Sequence, residues 1–67
     1  MFPNLNAEQA RFDYTNKNVA DYLGISRSTY EWKKKTGKFV VEECTKLCDL
    51  FKVNFDYLFS NSVNKPV

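Results

Sequence analysis

Apolar residues in this chain recur at three- and four-residue intervals in short runs, and most of these runs open on a side chain able to cap a helix. Val19, Ala20 and Leu23 form one such run, with the spacing of a single helix face. Thr15 precedes it as a cap, and Gly24 closes it, because glycine readily takes the left-handed conformation common just past a helix. Ser26 then caps a third helix, expected from Arg27 to about Lys35. Val41, Cys44, Leu47, Cys48 and Phe51 predict a fourth, with Glu42 and Glu43 suited to its start and Lys52 to its end. Asn4 or Asn6 is expected to cap a first helix reaching about Phe12, and Asn54 a short last helix over Phe55 to Phe59.

Glycine occurs only at Gly24 and Gly37 and proline only at Pro3 and Pro66, so no flexible linker divides the chain. The expectation is an all-α, compact bundle of five short helices over 1–60, followed by a polar tail over 61–67. At 67 residues the chain buries about 60% of the surface its unfolded form exposes, so its core must be local. With two cysteines and no histidine, tight helix packing replaces the disulfides or metals that small domains often use.

The same composition narrows function. Cys44 and Cys48 lie four apart on one helix face, but zinc takes three or four protein ligands. They read as small buried hydrophobes, poorly placed for a mutual disulfide, and no metal or other cofactor is expected. No apolar run reaches the ~20 residues of a membrane span, and the N-terminal residues lack the apolar core of a secretory signal. We therefore expect a cytoplasmic protein with no membrane partner. No glycine-rich phosphate loop is present, and acidic residues stand singly apart from Glu42 and Glu43, so neither catalytic residues nor a small-molecule ligand are expected.

Helix, three-residue turn opening on glycine, helix is the pattern of the DNA-binding helix-turn-helix. Ala20 is small where two helices must approach closely, Gly24 makes the turn, Ile25 plugs the core beneath it, and Tyr30 anchors the second helix. "TNKNVADYLGISRSTY", followed by "KLCDLFKVNFDYLF", resembles the lambda-repressor-like, Cro-type helix-turn-helix family, and the likeness runs from "NLNAEQAR" to Phe59. The resemblance implies five short helices with the third in the DNA major groove. It also implies that Ser26, Arg27, Ser28, Glu31 and Trp32 point away from the core, with Thr29 and Tyr30 nearer the helix interface. The family usually has glutamine at the first residue of helix 2, touching a phosphate and bracing the recognition helix; Asn16 carries the same amide on a shorter arm. After the recognition helix, "WKKKTGK" departs from the commoner "WENGK" or "KxxGK".

Charge adds weight to this reading. Residues 27–38 hold five positive charges and one negative, a balance of +4, whereas the rest of the chain holds five positive and seven negative. Arg27, near the start of the recognition helix, is the expected reader of bases, because guanidinium matches guanine O6 and N7 together. Ser28 is a weaker reader, and Ser26 and Glu31 complete the set. Trp32 either meets the DNA surface or packs inward beneath helix 4. Lys33, Lys34, Lys35 and Lys38, together with Asn16, are expected to hold phosphates.

Phe51, Phe55, Tyr57, Leu58 and Phe59 make the C-terminal end aromatic. Part of the set must close the core, since so short a helix does not stand alone; the remainder is expected to form a two-fold homodimer interface. Glu8 and Arg11 are expected to form a surface pair. The whole predicts a sequence-specific regulator of transcription binding double-stranded DNA, a repressor of the phage or mobile-element type. Its rival is a protein-interaction module on the same fold that antagonises another regulator.

Overall fold

Local capping chemistry marks the starts of three helices, those that follow Thr15, Ser26 and Asn54. The computed structural model describes residues 2–60, and the tail over 61–67 lies outside the described residues. Among those residues the chain forms α1 (Pro3–Arg11), α2 (Asn16–Leu23), α3 (Arg27–Thr36), α4 (Val41–Phe51) and α5 (Phe55–Leu58). Thr15 Oγ1 accepts from the Asn18 backbone N–H at 3.0 Å, and Asn18 Oδ1 accepts from the Thr15 N–H at 2.9 Å. This is a reciprocal capping box with asparagine in the place usually held by Glu or Gln. Ser26 and Asn54 cap α3 and α5 without the reciprocal bond, accepting from the N–H groups of Thr29 and Tyr57. At α4, Val40 has no side-chain acceptor, and Glu43 reaches back to the Val40 N–H at 3.0 Å.

α1 departs from the expectation. Pro3 opens the helix at its first position, where the missing N–H costs nothing. Asn4 and Asn6 therefore lie inside the helix, and both serve tertiary contacts. Asn4 Nδ2 donates to the Tyr57 carbonyl at 2.8 Å, and Asn6 Oδ1 accepts from Lys34.

α2 is central, contributing Val19, Ala20 and Leu23 to a core completed by Phe2, Leu5, Tyr30, Leu47, Phe51 and Leu58. Its most extensive packing is against α3; it also packs on α4, while α5 rests on α1 and α4. The aromatic end divides: Phe51 and Leu58 are buried, Tyr57 and Phe59 half-buried, and Phe55 is exposed. Cys44 and Cys48 are half-buried rather than buried, with Cys48 packed against the core, and burial pushes both thiols up from their ordinary range.

The Glu8–Arg11 pair forms as expected, with Arg11 exposed, but its carboxylate end is not at the surface. Glu8 is only 7% exposed, and its carboxylate accepts from Arg11 at 2.7 Å and from the Tyr57 hydroxyl at 2.9 Å, clipping α1 to α5. The Arg11 hydrogen bond holds this carboxyl below its usual range against the opposing effect of burial, and the Tyr57 bond assists. None of the described helices is long and apolar enough to cross a membrane.

Candidate nucleic-acid interface

The turn between α2 and α3 is built by Gly24, at φ 78°, with its N–H on the Asp21 carbonyl and the Ile25 N–H on the Ala20 carbonyl. A Cβ at Gly24 would meet nothing within 4 Å, so the backbone angle, not space, calls for glycine there. Ile25 packs against the core, and Ala20 is fully buried. The side chain of Tyr30 is likewise fully buried, and its hydroxyl donates to Gln9 Oε1 at 2.8 Å. Burial pushes this phenol well above its ordinary range.

With Tyr30 turned inward, the opposite face of α3 must turn outward. Arg27, Ser28, Trp32 and Lys35 are exposed there, with Glu31 half-exposed beside them. Trp32, at 50% exposure, takes the outward of its two expected orientations. Thr29, expected nearer the helix interface, is exposed. It lies at the helix start, where Ser26 donates its hydroxyl to Thr29 Oγ1 at 2.8 Å. Ser26, expected both to cap α3 and to face bases, is thus engaged as the cap on both sides of its oxygen. Arg27 Nη1 rests on Glu31 Oε2 at 3.1 Å, and the same oxygen accepts from Asn16 Nδ2 at 3.0 Å.

The four lysines separate. Lys35 and Lys38 are exposed. Lys33 instead pairs with Glu43 at 3.1 Å, with both side chains almost covered at 13% and 12% exposure, and donates to the Lys38 carbonyl. Lys34 is half-buried, and its ammonium donates to Asn6 Oδ1 at 2.8 Å, Asn16 Oδ1 at 3.0 Å and Gln9 Oε1 at 3.3 Å. It also stands 5.0 Å from the centre of the Tyr30 ring. Burial lowers its pKa, opposed by the charge of Glu31. Two of the lysines expected on phosphates are therefore engaged within the fold.

Asn6 and Gln9 of α1 were not expected at this site. One signal for Lys33 and Lys34 was present: they stand three and four residues after Tyr30, so an inward Tyr30 turns them inward as well. No comparable signal marks Asn6 and Gln9, because their partner is 28 and 25 residues away.

A separate concavity of about 200 Å³, lined by Tyr14, Asn18, Tyr22 and Leu50, lies away from this face. It is below the ~300–1,000 Å³ usual for ligand pockets. Comparison of the chain with family models, curated proteins and solved structures gives no match.

Proposed function

We propose that this chain is a sequence-specific, double-stranded DNA-binding regulator of transcription that lays α3 in the major groove. The observation that carries the reading is the outward face of α3, where Arg27, Ser28, Trp32 and Lys35 are exposed on a helix whose opposite face is tied to α1, α2 and α4. A ten-residue helix is ~15 Å long and fits a groove ~12 Å wide. Arg27 keeps Nη1 on Glu31 and offers its remaining N–H groups to a guanine edge, Ser28 and Trp32 meet neighbouring base edges or a thymine methyl, and Lys35 and Lys38 neutralise phosphates where the chain leaves the groove.

The Cro-type resemblance of "VADYLGISRST" and "FKVNFDYLF" supports a repressor of the phage or mobile-element type. One such domain covers few base pairs, so it acts as a homodimer on half-sites about 34 Å apart. The exposed Phe55, beside Phe59 at 5.0 Å, is the place we assign to that contact.

Selection of the purified protein against random duplexes at about 0.1 M salt tests this reading. Enrichment of a two-fold-symmetric motif is expected; recovery of no duplex would overturn it. The exposed Val40, Val41 and Phe55 favour one second reading, a module that binds another regulator through an apolar surface. Salt separates the two, since DNA binding weakens by a log–log slope near −0.9 per phosphate neutralised and an apolar contact hardly responds.

A further inference from the structure

Lys34 is unlike any other cation of the described chain. Its three ammonium protons meet three side-chain amide oxygens, two from α1 and one from the first residue of α2. An ammonium offers three donors, so this arrangement uses all of them and leaves none for a phosphate. Asn16 receives a direction from it. Its Oδ1 accepts from Lys34 and from Gln9 Nε2 at 2.9 Å, so its Nδ2 must be the atom that faces Glu31. Glu31 Oε2 then holds Arg27. A continuous chain of hydrogen bonds therefore runs from the half-buried ammonium to the guanidinium exposed at the start of α3.

We propose that Lys34 is a positioning residue for base recognition: without touching DNA, it orients Asn16 and Glu31 and so sets the direction from which Arg27 meets a base. This rests on the DNA-binding reading given above. It is supported by the geometry at every link, each between 2.8 and 3.3 Å, and by the exchange it avoids. Reversal of the Asn16 amide would set its N–H groups against the Lys34 ammonium and its oxygen against the Glu31 carboxylate. A free arginine side chain samples many rotamers, whereas one held at a fixed carboxylate starts near a single geometry and loses less freedom on binding.

The test is Lys34→Met, which keeps the apolar stem and removes the ammonium, measured by selection on random duplexes and by the salt dependence of binding. A base preference of ~5-fold to ~150-fold at the Arg27 position should fall toward parity, with the log–log salt slope unchanged. A slope reduced by ~0.9 with base preference intact would make Lys34 a phosphate contact and overturn the proposal. Should Lys34→Met not fold, Asn16→Ala cuts the same chain one link later, and retained preference in that variant overturns it equally. If the unmodified protein recovers no duplex, the DNA-binding reading has failed, and the relay is judged by itself through nuclear relaxation of the Arg27 guanidinium. Greater mobility in the variant supports it, and equal mobility overturns it.

Discussion

Lys34 and Lys35 are neighbours of identical chemistry on α3, yet one sits in a cage of three amides and the other faces solvent. Successive residues on a helix are turned by about 100°, so adjacency in sequence places side chains on different faces. The difference teaches how to interpret a run of positive charge. The three lysines 33–35 raise the net charge equally, but Lys33 and Lys34 share the inward side of Tyr30, and each is matched there by a partner. The basic stretch is thus two structures: an outward face open to solvent and an inward face that uses ammonium groups to fasten three helices to α3.

The largest test of this division compares Tyr30 with Trp32. A fully buried aromatic truncated to alanine costs ~3–5 kcal/mol, a large fraction of the ~3–10 kcal/mol available to a chain of this size. Tyr30→Ala should therefore leave much of the protein unfolded by circular dichroism, whereas Trp32→Ala should shift stability by only ~0.5 kcal/mol. Equal losses would erase the distinction between the two faces.

Lys33 and Lys35 sharpen it next. Lys33→Ala leaves the nearly covered Glu43 carboxylate without its counter-charge, held by the Val40 N–H, and should cost about 1–3 kcal/mol in denaturant melts. Lys35→Ala should leave the melt within ~0.5 kcal/mol of the parent and instead reduce the salt slope of DNA binding by ~0.9. Arg27→Ala should change stability little, since its pair with Glu31 is exposed, and should remove ~1–3 kcal/mol of discrimination at one base pair. Uniform weakening on every sequence would remove Arg27 from the role of base reader.

The smallest expected effect lies away from α3, at the clip between α1 and α5. Glu8 has a folded pKa below its ordinary value of 4.5, chiefly through the hydrogen bond from Arg11. Its contribution to stability is complete above about pH 4.5 and is lost as pH falls through the lower folded value, because the unfolded chain then binds a proton first. Glu8→Gln should be less stable near neutral pH and lose less of its melting temperature on acidification. A parallel decline of both proteins would show that the clip does not titrate with folding.

Much of this architecture is legible residue by residue. Thr15, Gly24, Ser26 and Asn54 act on backbone groups within a few positions of themselves, and each performs the capping or turning role its chemistry predicts. The expected span of α4 agrees at both ends, Val41 and Phe51. Asn4 and Asn6 show the limit of such reasoning: either is a good cap in isolation, but Pro3 starts α1 ahead of both, and their amides meet Tyr57 and Lys34 instead. Glu8 shows it as well, since spacing identifies Arg11 as its partner and gives no sign that the Tyr57 hydroxyl, 49 residues away, meets the same carboxylate.

By itself, then, the sequence determined the five helices, the turn between α2 and α3 and the inward anchor at Tyr30, because caps, glycine angles and apolar periodicity act over one or two turns of chain. Tertiary structure alone decided that Trp32 faces outward, that Phe55 is left exposed while Phe51 and Leu58 close the core, and that Lys34 meets Asn6, Gln9 and Asn16. Those outcomes depend on how helices distant in sequence are brought together. A lysine's charge is the same in either place; only the arrival of α1 and α2 beside α3 determines whether amide oxygens or water surround it.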